Sequence, residues 1–204
     1  MRVARVDLTD QEHALQTMVL CNNLEGPVDI ALWEYANSNM SVSPQDLVDS
    51  SERLAEELFS SETKFMITTV SGNSQNGDHF NYLKGAPEIV LDMCQFDDHE
   101  QQKILAMVDD WAGDGLRMLG LAYRQMGELD DYSGYTWVGL VGMQDPIRDG
   151  VHDAVNIAQK AGIQIKMITG DYRRTAEKIG RTIGLLKPDE RSLEGEDLAR
   201  MSDQ

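Results

Sequence analysis

The spacing of apolar residues changes several times along the chain, and each change marks a different kind of predicted element. Over the first sixty residues the spacing is helical, with a turn-prone patch at residues 22–27. A cap at Thr9 or Asp10 and a proline at Pro44 are both typical of helix starts. We predict helices over residues 9–20 and 28–37, and a third that opens at Ser43-Pro44 and carries Leu47, Leu54 and Leu58 on one face.

The middle of the chain shows patterns that are typical of strands. Residues 64–70 are rich in Thr, Ile and Val, and Asn76-Gly77 in the next turn is a strong hairpin signal. Residues 127–134 are acidic and turn-rich, which indicates a link between strands. We predict strands over 64–70, 79–83, 116–124 and 136–143, with helices over 87–93 and 99–112.

From Asp149 onward, helix and strand patterns alternate. Val151, Val155 and Ala158 mark a helix, residues 163–168 a strand, and residues 175–185 a second helix. A strand between two helices is typical of a doubly wound parallel layer. We therefore predict an α/β protein in two parts: residues 1–143 with an antiparallel sheet flanked by helices, and residues 144–204 as an incomplete parallel α/β domain.

Composition narrows the class of function. The net charge of −17 argues against direct nucleic-acid binding, because a phosphate backbone requires a basic surface. Two cysteines are too few for a disulfide framework, and four scattered histidines lack metal-ligand spacing, so we predict no metal site. No run approaches the ~18 to 20 apolar residues that a membrane-spanning helix needs.

The segment Lys84-Gly85-Ala86-Pro87-Glu88 is a candidate for chemistry, since it joins a predicted strand to a predicted helix. A lysine on a flexible stem can reach a nucleotide or its phosphates. Glycine lets a planar base approach the main chain, and proline suits the first turn of a helix. On these residues alone, a turn with an ordinary surface lysine is the other interpretation.

Several segments occur in an order that resembles one family. The Lys84 segment is followed by Asp145-Pro146-Ile147-Arg148 and by Met167-Ile168-Thr169-Gly170-Asp171. In this order they resemble the nucleotide-binding half of P-type cation-pumping ATPases, especially the type II calcium pumps. Residues 25–32, 59–64 and 115–119 resemble further segments of the same family, so the resemblance extends from about Val19 to Leu185.

The resemblance implies roles for individual residues. Phe59 would stack on adenine, Asp29 would lie near the adenine amino group, and Lys64, Lys84 and Gly85 would line the pocket. Arg117 would contact the phosphates. Asp145 would orient an interdomain hinge and make ribose or phosphate contacts in the nucleotide site, and Arg148 would help tie the domains. Thr169, Gly170 and Asp171 would bind the transferred phosphoryl group as catalytic residues. Two alternatives stay open: Phe59 as a core residue beside Leu58, and Asp29 as a first-turn aspartate favoured by the helix dipole.

The sequence also departs from the family. It lacks the Asp-Lys-Thr-Gly-Thr segment that carries the phosphate and the Gly-Asp-Gly-Val-Asn-Asp segment that holds Mg²⁺. Ile147 replaces a proline, and Ser61 stands where calcium pumps often have a basic residue. The resemblance therefore implies an N-terminally incomplete nucleotide-binding domain with part of a haloacid-dehalogenase-like phosphorylation domain.

The function that this resemblance implies is ATP binding within an ion-transporting ATPase. ATP and Mg²⁺ would be its cofactors. Its partner would be the remainder of the pump, including the transmembrane domain, and the chain itself would lie at the cytosolic face of a membrane. A stand-alone nucleotide-binding module without turnover is the main alternative. A soluble haloacid-dehalogenase-like phosphatase is another, but it needs an early Asp-x-Asp nucleophile segment that is not suitably placed here.

Overall fold

A sheet of six strands organises the N-terminal part of the chain. The strands are Arg2–Leu8 (β1), Arg53–Glu57 (β2), Phe65–Ser71 (β3), His79–Gly85 (β4), Arg117–Gln125 (β5) and Thr136–Gln144 (β6). Their order is β1-β6-β5-β4-β3-β2, and every neighbouring pair is antiparallel. The prediction of an antiparallel sheet is confirmed.

The computed structural model describes residues 1–72, 79–125, 132–169, 173–187, 189–190 and 192–193. The chain divides into two units, Met1–Ala112 with Leu116–Asp145 (unit 1) and Gly113–Gly115 with Pro146–Gln204 (unit 2). Within the described part of the chain, no helix has both the length and the apolar character needed to cross a membrane.

Helices cover both faces of the sheet in unit 1. They are Gln11–Leu20 (α1), Pro27–Asn39 (α2), Pro44–Asp49 (α3), Pro87–Met93 (α4) and Asp98–Gly113 (α5). The first three pack on one face, around buried residues such as Met18, Leu32 and Leu121, and the last two pack on the other. Each face therefore has its own apolar core, which removes both sides of the central strands from water.

Local sequence accounts for the helix starts. Proline occupies the first turn of α2, α3 and α4, where a missing N–H leaves no hydrogen bond unmade. At α1 the side chain of Asp10 accepts a hydrogen bond from the His13 main-chain N–H. These starts agree with the predictions made from the sequence.

The described residues of unit 2 form two helices, Val151–Lys160 (α6) and Arg173–Thr182 (α7). Both were predicted, although α7 begins and ends earlier than expected. The strand predicted over residues 163–168 is wrong, since those residues form no strand pairing with any described residue. A strand is defined by its hydrogen-bonded neighbours, so apolar residues alone do not produce one.

The two edge strands were not predicted. The helix expected from Ser43-Pro44 ends at Asp49, and β2 follows, so Leu54 and Leu58 lie exposed and share no helix face with Leu47. Edge strands are exposed on one side and carry many polar residues, so the alternation of apolar and polar positions that marks a strand is not visible in their sequences. The Asn76-Gly77 turn lies outside the described residues, as does most of the predicted link 127–134.

Candidate functional site

Lys84 lies on β4 with only 5% of its surface exposed. Its ammonium group donates a hydrogen bond to Oδ1 of Asp29 over 2.5 Å. A buried cation is costly unless a counter-charge pairs with it, and the Asp29 carboxylate fulfils this need. The interpretation of Lys84 as a surface turn lysine is therefore wrong.

Asp29 is held from the other side by the segment that follows α1. Its Oδ2 accepts a hydrogen bond from the main-chain N–H of Asn23 at 3.3 Å. The buried side-chain amide of Asn22 donates to the main-chain oxygens of Met18 and Asp29, both at 2.9 Å. Asp29 also stands in the first turn of α2, where a negative charge is favourable. The carboxylate thus has fixed partners at both oxygens.

Cys21 is a fully buried thiol in the same region. Its Sγ donates to the main-chain oxygen of Met66 at 3.3 Å. Burial raises the pKa of the Cys21 thiol, and the positive charges of Lys84 and Arg53 counter this rise only in part. A raised pKa keeps the thiol neutral, so Cys21 is a structural residue here rather than a nucleophile.

Phe59 is 60% exposed in the connection between β2 and β3. This excludes the interpretation of Phe59 as a core residue. The connection closes in a turn in which the Lys64 N–H donates to the Ser60 main-chain oxygen at 2.8 Å. Lys64 has a positive φ of 62°, a conformation that side chains other than glycine seldom adopt. The exposed ring is available for stacking on a flat ligand.

Lys64 and Gly85 meet where β3 and β4 lie side by side. The Ala86 N–H donates to the Lys64 main-chain oxygen at 2.9 Å, and Phe65 stands opposite Gly85 in the register. A Cβ added to Gly85 would lie 2.7 Å from Phe65 Cβ and 2.8 Å from the Lys64 oxygen. Close approach of the chain itself therefore requires this glycine, a different reason from the base contact expected from the sequence.

Arg117 is exposed at the start of β5. Leu121 of this strand stands opposite Lys84, and Arg117 precedes it by four positions. Because strand side chains alternate between faces, Arg117 falls on the same face of the sheet as Lys84, beyond the end of β4. The structure thus places Lys64, Lys84 and Arg117 at one end of the β3-β4-β5 region.

The remaining predicted site residues are distributed differently. Asp145 is exposed at the end of unit 1, with its Oδ1 3.2 Å from the main-chain nitrogen of Met1. Arg148 and Thr169 are exposed residues of unit 2. Gly170 and Asp171 lie outside the described residues. The proposed hinge and phosphoryl-binding roles thus stay predictions from the sequence.

Sequence reasoning missed two polar residues of this region, Asn22 and Arg53. Asn22 was assigned only to a turn, and Arg53 to a helix that the structure replaces with β2. Nothing in the local pattern indicates that Asn22 is buried, because its burial comes from packing between α1 and α2. Across the described ranges, no group of three or more His, Cys, Asp or Glu side chains could hold a metal ion.

Comparisons with known proteins identify the family. A family model described as "P-type ATPase, cytoplasmic domain N" matches residues 10–150, and the chain belongs to the P-type ATPases. This range contains the antiparallel sheet from β2 to β6, all of its helices, and the Asp29–Lys84 pair. The resemblance found in the sequence is confirmed.

Individual relatives agree with the family assignment. "Calcium-transporting ATPase 1" of Lactococcus lactis is 33% identical over an alignment of 224 positions, gaps included, which covers 97% of this chain and 25% of the relative. "Calcium-transporting ATPase type 2C member 2" of Mus musculus is 35% identical over an alignment of 170 positions, which covers 78% of this chain and 17% of the relative. "Sodium/potassium exporting P-type ATPase cta3" of Schizosaccharomyces pombe is 31% identical over an alignment of 177 positions, which covers 79% of this chain and 17% of the relative. The chain thus spans a quarter or less of the length of these relatives, which are ion-transporting enzymes by name.

Proposed function

We propose that this chain binds ATP as the nucleotide-binding part of a cation-transporting P-type ATPase. The observation that carries the proposal is an exposed aromatic ring, Phe59, in the connection that leads into β3. Lys64 ends this connection, and Lys84 lies on β4 at the same end of the β3–β4 pair. An aromatic ring can stack on adenine, and cations can bind phosphates. The family match supports the same assignment.

Each side chain has a distinct role in this proposal. Phe59 provides the stacking surface, while the exposed Lys64 and Arg117 provide mobile positive charges for the phosphates. Lys84 provides a positive charge whose position is fixed by Asp29. A fixed charge needs no reorganisation when a ligand arrives, so it favours one orientation of the nucleotide.

Residues 1–143 would be the nucleotide-binding domain and residues 144–204 part of a haloacid-dehalogenase-like phosphorylation domain. Asp145 and Arg148 would form the hinge, and Thr169, Gly170 and Asp171 the loop that binds the transferred phosphoryl group. The phosphate would pass to an aspartate that these 204 residues do not supply, since they lack the Asp-Lys-Thr-Gly-Thr segment. Mg²⁺ would be held by the ATP phosphates or by other parts of the pump.

The relatives favour a pump over a stand-alone nucleotide-binding module. This chain aligns over almost its whole length with a quarter of the Lactococcus protein. We propose that the pump lies in a membrane, that these residues face the cytosol, and that the remainder of the pump is the partner. Relatives named for calcium and for sodium or potassium transport both match, so the proposal names a cation and no particular ion.

A titration of the chain with ATP, beside a thermal melt, tests the binding proposal. We expect a dissociation constant of about 0.1–10 mM, since the pocket would be open to solvent. Phe59→Ala should weaken binding by about 0.5–1.5 kcal/mol, the contribution of one stacked ring, and leave the melting temperature unchanged. Leu54→Ala is the matched control, because Leu54 is a neighbouring apolar side chain of similar exposure.

Two results would contradict this proposal. One is an equal loss of ATP affinity in Phe59→Ala and Leu54→Ala, which would remove the case for stacking. The other is an acid-stable phosphate label on this chain after incubation with γ-labelled ATP and acid quench. We expect no such label, because the acceptor aspartate is supplied from elsewhere in the pump.

A further inference from the structure

Arg53 connects the edge strand β2 to the segment after α1. One guanidinium nitrogen donates to the main-chain oxygens of Leu20 and Asn22 at 3.0 and 2.9 Å. The other donates to Asn23 Oδ1 at 2.5 Å and to Glu56 Oε2 at 2.9 Å. Arg53 thus makes four hydrogen bonds with its guanidinium group, three of them to residues 20–23. The planar fork of an arginine suits this arrangement, and a lysine ammonium does not reproduce it.

The segment that Arg53 holds is itself bound to Asp29. Asn22 donates its side-chain amide to the Asp29 main-chain oxygen, and Asn23 donates its main-chain N–H to the Asp29 carboxylate. The Asn22 side-chain oxygen accepts from the Leu24 N–H at 2.8 Å, where Leu24 has a φ of 58°. A left-handed conformation at a leucine is costly, so the surrounding hydrogen bonds must stabilise it. The segment has one defined conformation because several bonds fix it.

A continuous set of contacts therefore runs from Arg53 to Lys84. Arg53 holds Asn22 and Asn23, these hold Asp29, and Asp29 holds the Lys84 ammonium. Within this set, both oxygens of the Asp29 carboxylate are engaged, one by Lys84 and one by Asn23. Loss of the Arg53 bonds frees residues 20–23 to move, and the carboxylate then loses one of the two contacts that orient it.

We infer that Arg53 and Asn22 are positioning residues that fix the Asp29–Lys84 pair, and through it the charge that Lys84 offers to a nucleotide. This inference rests on the proposed ATP-binding function for its consequence, but the placement of Lys84 can be measured without nucleotide. Arg53 contacts Asp29 and Lys84 only through other residues, so its effect on binding is indirect.

The experiment follows the reaction of lysine amines with an acylating reagent, located by mass spectrometry, in the intact chain. Lys84 should react slowly because it is buried and paired, while the exposed Lys64 serves as an internal reference. Arg53→Met should raise the Lys84 rate relative to Lys64 by about 3- to 10-fold, the effect of losing the one hydrogen bond by which Asn23 orients the Asp29 carboxylate. ATP affinity should fall by a similar factor. For Arg53→Lys, the Lys84 rate and the ATP affinity should lie between those of the unaltered chain and those of Arg53→Met.

Arg181→Met is the matched control, because Arg181 of unit 2 also donates to two main-chain oxygens, those of Lys187 and Glu190. It should leave both the Lys84 rate and ATP affinity unchanged. If Arg53→Met does not fold, Arg53→Lys decides, since it keeps the charge and the aliphatic stem.

Each outcome has a defined meaning. An unchanged Lys84 rate in folded Arg53 variants would overturn the inference, as would an equal rise in Arg181→Met. If the unaltered chain binds no ATP, the proposed function fails, while the acylation rates still decide whether Arg53 positions Lys84. A higher Lys84 rate in Arg53→Met, partly restored in Arg53→Lys and absent in Arg181→Met, supports the inference.

Discussion

Two stretches that were both predicted as strands, β3 in unit 1 and residues 163–168 in unit 2, have different structures. β3 pairs with β2 on one side and β4 on the other, and its first six residues are buried. Residues 163–168 pair with no strand among the described residues, and Ile168 is 95% exposed. Each stretch contains one methionine, with one isoleucine in β3 and three in residues 163–168. The difference therefore lies in the neighbours available to each stretch.

This contrast shows what intrinsic preference contributes to a strand. β-propensity largely measures how well a side chain packs on a pleated surface with neighbours beside it. β3 has such neighbours within unit 1, whereas residues 163–168, with Ile163, Ile165, Met167 and Ile168, pair with no strand among the described residues. If residues 144–204 belong to a phosphorylation domain, as proposed, strands from elsewhere in the pump would complete that sheet.

The largest expected difference between the two stretches is in hydrogen exchange. Amides of β3 and β4 are bonded across the sheet, whereas those of residues 164–168 bond no main-chain oxygen among the described residues. We expect exchange at 164–168 to be at least about 100-fold faster than in β3, since exchange follows the free energy of local opening. Mass spectrometry of peptides from both stretches measures this. Equal protection would mean that residues 163–168 have a partner strand.

A pair of matched substitutions compares the same stretches by stability. Ile67→Ala in β3 removes a fully buried side chain and should lower the free energy of unfolding of unit 1 by about 2–5 kcal/mol. Ile168→Ala should change stability by less than about 0.5 kcal/mol, because that side chain already lies in water. Denaturant unfolding followed by far-ultraviolet circular dichroism reports on the helices of both units, and tryptophan fluorescence reports on unit 1 alone, which contains Trp33, Trp111 and Trp137. Comparable losses in both variants would contradict the contrast in burial.

Most of unit 1 could be predicted from the sequence because its signals are local. Proline at three helix starts and a cap at Asp10 fix where helices begin, and continuous apolar runs mark the central strands. The edge strands β1 and β2 were missed because half of each is exposed and polar. Residues 163–168 were predicted as a strand because a sequence pattern reports what a segment can bury, not which neighbours it has.

The candidate site was predictable to a smaller extent. The family resemblance selected Phe59, Lys64, Lys84 and Asp29, and the structure adds that Lys84 is buried and paired with Asp29. The contacts of Arg53 and Asn22 could not be predicted, because they join residues about thirty positions apart through packing that no short motif encodes. Local patterns thus identify candidate nucleotide-binding residues, while the residues that position them can be identified only once the fold is known.

The smallest expected effect is on the stability contributed by a helix cap, which differs between the helix starts of the two units. The Asp10 carboxylate caps α1 and contacts the His13 ring at 2.7 Å, whereas α6 has Gly150 at its N-cap position and therefore no side-chain cap. Burial raises the pKa of Asp10, but hydrogen bonds from the His13 side chain and main chain outweigh it and leave that pKa lowered. Because the folded pKa is below the unfolded value, the ionised cap stabilises unit 1 above pH ~4, and the stabilisation is lost as the pH falls through the folded pKa.

Asp10→Ala should therefore lower the free energy of unfolding by about 0.5–2 kcal/mol at pH 7, the usual value of an N-cap. The difference from the unaltered protein should shrink at pH 3, because this pH lies below the value of about 4 at which an aspartate of the unfolded chain takes up a proton. Asp153→Ala, in the first turn of α6, is the control, and it should cost less than about 0.5 kcal/mol at either pH, because the Asp153 side chain is exposed and caps no helix. Calorimetric melts of the three proteins at both pH values measure these differences. A loss in Asp10→Ala that is as large at pH 3 as at pH 7 would show that the ionised carboxylate is not what stabilises α1.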